Sequence, residues 1–273
     1  MLKRNVMRVV SHTCSNTEIV CALGLQDALV AVDSDSDFPP GVVGRLPQLG
    51  RDLQLDVDAA LALRPDLVLS SLTVPGHERI VAAFEASGVP LVVCNPQNLD
   101  DVFDDIRRIA AALGVAARGE QLVGDMQAQM PVCTPREDAP RVLVEWWPKP
   151  VIGAARRSWV HDLIERAGGR NALAECDTQT HTLVADQAPD TGIDVLAMSW
   201  CGVKVDKYRA DVVLKREGWQ AVNAIRERRI VAISEEFLGR PGPRLVEGYR
   251  QLRMAIEGRS FASHDSSRGQ PDD

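Results

Sequence analysis

Few side chains in this 273-residue sequence stand where they could drive a reaction. Cys14 opens a helical pattern, and a helix N-terminus favours a thiolate. A thiol that attacks phosphate also needs an Arg at the end of its short loop, and six places on the residue is Val20. His77-Glu78 has the start of a zinc-protease helix but lacks the second His. No G-x-G-x-x-G follows a strand, and there is no Walker loop and no G-x-S-x-G elbow. The six cysteines (14, 21, 94, 133, 176 and 201) are scattered, with no CxxC pair and no zinc spacing. They read as buried reduced thiols of a reducing compartment. What remains is binding chemistry: a polar loop at His12-Thr13-Cys14, and aromatic side chains where strands end. The sequence predicts a protein that binds and catalyses nothing.

The elements that must position these residues alternate. Arg8 to Ser11 is a short β run, and Ser15-Asn16-Thr17-Glu18 has the form of a capping box for the helix that stops at Gly24. Ala28 to Val32 is a second strand. Helix Val57 to Leu63, strand Asp66 to Ser70, helix Glu78 to Ser87 and strand Leu91 to Val93 follow. Leu99, Val102, Phe103, Ile106, Ala110 and Leu113 mark one face of an amphipathic helix capped by Asn98. A second helix is expected from Val115 to Met130, ended by Pro131. The grammar then repeats, with strands Arg141 to Trp146, Ile193 to Met198 and Arg229 to Ile233, and helices Trp159 to Ala167, Ala210 to Arg216 and Arg244 to Glu257. Strands alternating with helices mean parallel sheets covered on both faces. The expected fold is α/β, with an N-terminal lobe at 1–114, a linking helix at 115–131, a C-terminal lobe at 132–260 and a disordered polar tail at 261–273.

Composition narrows the function classes. Hydrophobic residues are 45% and charged residues 25%, which supplies ample core. A net charge of −7 argues against nucleic acid or an anionic membrane as main partner. No stretch approaches the roughly 20 apolar residues of a membrane span, so no insertion is expected. Met1 to Arg8 carries no secretory apolar run, which points to the cytoplasm as written, and to the periplasm if a leader has been removed.

Several segments, in order, resemble the class III substrate-binding proteins of ABC importers, which bind cobalamin, ferric siderophores and haem. They are Arg8-Val9-Val10-Ser11, Ser15 to Ile19, Ala22 to Leu25, Arg64-Pro65-Asp66-Leu67-Val68 and Gly168-Gly169-Arg170-Asn171. Asn95 to Val102 and Arg240 to Gly248 resemble its cobalamin-binding branch, as do Glu145-Trp146-Trp147-Pro148 and Ser199-Trp200-Cys201-Gly202. The resemblance covers residues 8–258. It implies two Rossmann-like lobes joined by a single long backbone helix, with the ligand between them where loops leave the strands.

On that resemblance the ligand is cobalamin or a related corrinoid, with no catalytic cofactor. A corrin is a broad macrocycle edged with amides, and aromatic surfaces suit it. Of twelve aromatic residues, Trp146, Trp147, Trp200 and Phe237 fall at strand ends, whereas Trp159 and Trp219 sit in helical patterns and read as core. His12, Thr13, Cys14 and Asp35 complete the expected contacts, although Asp35 replaces an aromatic of the cobalamin receptors. His12 is the candidate axial ligand to the corrinoid cobalt, with no other metal site. The partner implied is an ABC transporter permease, docked through Glu78 and through Asp186 where the family has Glu. The alternatives are a siderophore or haem receptor of the same fold, or a cytosolic corrinoid-metabolism enzyme or trafficking factor.

Overall fold

In a computed structural model, which describes residues 7–134, 136–184 and 191–258, the chain begins with four parallel strands. Strand β1 (Val9–Ser11) leads into α1 (Cys14–Ala22), and β2 (Leu29–Val32) into α2 (Pro40–Val43) and α3 (Val57–Ala62). Strand β3 (Leu67–Ser71), α4 (His77–Ser87) and β4 (Leu91–Cys94) complete the unit, with strand order β2-β1-β3-β4. Side chains alternate across a strand. In β1 and β3, Val9 and Leu69 therefore face one core while Val10 and Val68 face another, against Phe84 of α4.

Two helices then carry the chain across. Asn98 caps α5 (Leu99–Ala112) by accepting a hydrogen bond from the Asp101 amide at 2.8 Å. Gly114, at φ +73°, makes the turn into α6 (Ala116–Gln129). A helix runs where the linking helix is expected. Helix α5 also packs on the second lobe, where the Asp162 carboxylate accepts the Leu99 amide at 2.7 Å.

The second sheet keeps the expected parallel strands and adds an antiparallel pair to them. Strand β5 (Arg141–Pro148) turns back into antiparallel β6 (Val151–Ala154), before α7 (Trp159–Arg166) and the two-residue β7 (Arg170–Asn171). Strand β8 (Thr180–Leu183) pairs antiparallel with β6. Parallel pairing resumes with β9 (Val195–Met198), then α8 (Ala210–Leu214), α9 (Asn223–Arg226) and β10 (Ile230–Ala232). Helices α10 (Glu235–Leu238) and α11 (Leu245–Ile256) end the described chain, so the predicted tail lies outside it. Val142, Val144 and Val195 face the same core as Val9 and Leu69, while Leu143, Leu196 and Met198 face Trp219. One apolar core, filled by Phe103, Ile106, Met126 and Trp159, thus lies between the inner faces of both sheets.

Candidate functional site

All strands of the first sheet run the same way, so the loops after β1, β2 and β3 leave from one edge. The loops after β9 and β10 do the same in the second sheet. Residues 13–15, 34–37, 51–52 and 73–77 meet residues 201–204 and 235–241 around a cleft of about 570 Å³.

Thr13 holds φ at +83°, a strained value for a side chain branched at Cβ. What fixes it is the buried Asp33 carboxylate, which accepts the Thr13 amide at 3.0 Å and the Ser36 amide and hydroxyl at 2.9 and 2.7 Å. Cys14 starts α1 and donates its thiol to the Asp35 carbonyl at 2.9 Å. Burial pushes this thiol well above the usual range, despite the neighbouring Arg240, so it is no thiolate. Asp35 pairs with Arg51 at 3.2 Å and accepts the Asp52 amide at 3.0 Å, joining two rims of the first lobe.

The expected capping box does not form. Thr13 is the N-cap residue, with no side-chain cap, and Glu18 points away from the helix end. Its carboxylate, 3% exposed, instead reaches the second lobe, accepting from Arg240 at 3.1 Å and Arg244 at 3.3 Å. Arg240 also holds Asp37 through two contacts of 2.6 and 3.2 Å, and Glu235 at 3.2 Å. Arg244 pairs with Glu236 at 2.5 Å and lies over the rings of Phe38 and Phe237, 4.3 and 4.8 Å from their centres. Burial raises the pKa of Glu18 and Glu235, and the guanidinium groups only partly offset it. This ion network ties the lobes together at the side of the cleft.

Of the residues singled out from the sequence, Thr13, Cys14 and Asp35 line the cleft. His12 does not. It is fully buried, with Nε2 2.9 Å from the Asp52 carbonyl and Nδ1 2.8 Å from Ser70 Oγ. A carbonyl only accepts, so the proton sits on Nε2 and neither nitrogen is left for cobalt. That corrects the axial-ligand expectation. The imidazole at the cleft wall is His77, stacked edge-on at 4.7 Å against His12. Neither of its ring nitrogens has a hydrogen bond; Nε2 lies 3.5 Å from Asp52 Oδ2.

The four aromatic candidates are also displaced from the cleft lining. Trp146 is buried in the common core beside Trp159, 5.9 Å between rings. Trp200 is buried too, donating its indole N–H to Glu145 at 2.9 Å and packing on Tyr208. Trp147 is 42% exposed and donates to the Lys149 carbonyl, because β5 runs on into a hairpin and carries it away from the edge. Phe237 packs against the common core, with the Arg244 guanidinium 4.8 Å from its ring centre. Trp159 and Trp219 are core, as expected. Among the described residues the lining contains no Trp, Tyr or Phe; it holds five carboxylates (Asp35, Asp37, Asp52, Glu235, Glu236) against Arg51, Lys204 and Arg240. No group of three or more His, Cys, Asp or Glu among them is arranged to hold a metal ion. Glu78 is exposed at the start of α4, where its carboxylate accepts the Gly76 amide; Asp186 lies outside the described residues.

Two α/β lobes around a loop-lined cleft define a solute-binding protein. The chain matches the family model for periplasmic binding proteins over residues 9–236 and belongs to that family. It is 28% identical to an uncharacterised ABC transporter substrate-binding lipoprotein of Bacillus subtilis, covering 93% of this chain and 81% of the relative. A vitamin B12-binding protein of Vibrio parahaemolyticus is 24% identical over 90% of this chain and 88% of its own. The periplasmic heme-binding protein of Roseiflexus sp. RS-1, solved in its apo form, superposes with a TM-score of 0.77 at 30% identity, covering 93% of this chain and 99% of that one. The chain is therefore a substrate-binding protein of the periplasmic binding protein family. No helix among the described residues is long and apolar enough to cross a membrane.

Proposed function

We propose that the chain captures a corrinoid, cobalamin or cobinamide, in this cleft and hands it to an ABC permease without catalysing a reaction. The observation that carries this reading is the charge of the lining. Five carboxylates outnumber three cations, and Arg51 and Arg240 already hold carboxylates of the protein. Haem carries two propionates and many ferric siderophores are anionic, so this wall repels them. A corrinoid such as cobinamide offers the reverse: no carboxylate, and a rim of amide N–H donors, which carboxylates accept. The likeness to a vitamin B12-binding protein supports the same choice. On this reading the protein works on the outer side of the cytoplasmic membrane, where the family has its name, and Glu78 is the permease contact on the first lobe.

A haem reading is favoured by the His77 imidazole at the wall, whose Nδ1 has no hydrogen-bond partner while Nε2 faces Asp52, together with the likeness to the Roseiflexus heme-binding protein. Calorimetric titration separates the two. Cyanocobalamin or dicyanocobinamide should bind one-to-one with a Kd of about 1 μM or tighter, near −8 kcal/mol. Binding of hemin or a ferric hydroxamate, with neither corrinoid bound at high micromolar concentration, would overturn the proposal.

A further inference from the structure

Arg240 is the cation best placed to receive an anionic ligand group, since it lines the cleft and its guanidinium is held rigidly by the network around it. Both of its terminal nitrogens are already engaged. Asp37 grips them with both oxygens from the first lobe, Glu235 holds one from its own lobe, and the buried Glu18 holds the other. Around Arg240 and Arg244 stand four carboxylates, Glu18, Asp37, Glu235 and Glu236, so the network is acidic by two charges when all are ionised. Of these, Asp37 and Glu235 border the cleft and contact Arg240 directly, whereas Glu18 is sealed below.

We infer that Asp37 and Glu235 are specificity-determining residues: by occupying Arg240 they bar ligands that carry free carboxylates and leave the cleft to amide-edged ones. The inference deepens the corrinoid reading and rests on it for the identity of the favoured ligand. The masking itself is a property of the ion network. A charged group is rejected when its would-be partner must first abandon another, and when like charges flank the approach. Removing the two masking charges should expose Arg240 while Glu18 still balances it, so the guanidinium is not stranded.

The test compares hemin and dicyanocobinamide on the parent, on Asp37→Asn, and on Asp37→Asn/Glu235→Gln. Melting curves establish that each variant is folded. Asp37, more than half exposed at its side chain, gives the milder variant should the double one fail to fold. Hemin affinity should rise about tenfold or more in the double variant and by a smaller factor in Asp37→Asn, the gain shrinking as salt is raised. Adding Arg240→Gln to whichever of these variants is folded should abolish its gain. Hemin affinity within twofold of the parent in folded variants would overturn the inference, as would a gain that survives loss of Arg240. A parent that binds hemin and no corrinoid defeats the corrinoid reading; a further rise in hemin affinity that depends on Arg240 would still uphold the masking. A parent that binds corrinoid, with variants that gain nothing for hemin, defeats the masking alone.

Discussion

Burial gives His12 a measurable role. Its ring is closed off, its neutral form satisfies both neighbours, and protonation would set a charge beside His77. Desolvation, then the nearby His77, lowers its pKa from 6.5 to about 4, against a smaller pull from Asp52. Between those values the unfolded chain binds the proton and the folded one does not, so stability rises with pH. The contribution is fully present above pH 6.5 and is lost as pH falls toward 4, at most roughly 3 kcal/mol. Asp105 acts with the opposite sign: burial raises its carboxyl to about 6, so its contribution is lost as pH rises through that value. His12→Gln separates the two: in denaturant melts its stability should rise less, or fall more, with pH than the parent's between pH 4 and 6.5, because the opposing Asp105 contribution remains. Equal slopes would exclude His12 as the source. The sequence placed His12 in the right loop but not its partners, because Asp52 and Ser70 lie 40 and 58 residues away. Arg240 was missed for the same reason, although it opens a family-like segment: its partners Asp37 and Glu18 are 203 and 222 residues distant. Glu145, wholly buried and held by Arg216 at 2.8 Å and Trp200 at 2.9 Å, turned an expected ligand-binding aromatic into a structural one. Charge pairs across a fold leave no local pattern.

Elements were more legible than contacts. Periodicity and caps locate α5, α7 and α11 to within a residue or two, since an apolar stripe must face a core whatever surrounds it. The strands β6, β7 and β8 carry no such mark. They are two to four residues long, and β8 exposes Thr180 and Thr182. Ser15 to Glu18 shows a local signal overruled, because Glu18 finds two guanidinium partners in the other lobe and leaves the helix end uncapped. The α5–α6 pair offers a sharper test of element packing. Gly119 sits where a Cβ would come within 2.5 Å of Ala110 Cβ, a rigid atom that cannot swing aside. Close approach here lets α6 bury Val123 and Met126 against the common core. Gly119→Ala gains helix propensity of about 1 kcal/mol but must spread the helices, which commonly costs 1–3 kcal/mol by overpacking, that is, about 2 kcal/mol before the propensity gain. Net destabilisation of about 1 kcal/mol is expected in urea melts, whereas Gly124→Ala, with open space at its Cβ, should stabilise. A stabilised Gly119→Ala would mean that the helices are not in contact there.

At the scale of the whole molecule, the lobes share more than a linker. The core between the sheets runs without a break from Val9 and Leu69 through Phe103 and Met126 to Val142 and Val195, and the Glu18–Arg240–Asp37 network adds a second tie. Wide opening would have to pull apart α5 and α7, whose contact includes the Asp162 bond to the Leu99 amide, and expose buried charge. Hinge motion between lobes is therefore expected to be small, and the two sheets are expected to unfold together. Calorimetry should record one cooperative transition, with van't Hoff and calorimetric enthalpies in agreement. Adding the ligand that binds should raise the transition temperature by mass action. Small-angle scattering should meanwhile show the radius of gyration changing by less than about 1 Å, the signature of local adjustment instead of a closing clamp. Two separate transitions, or a change of several Å on binding, would show that the common core parts between the lobes and that the cleft is built by closure.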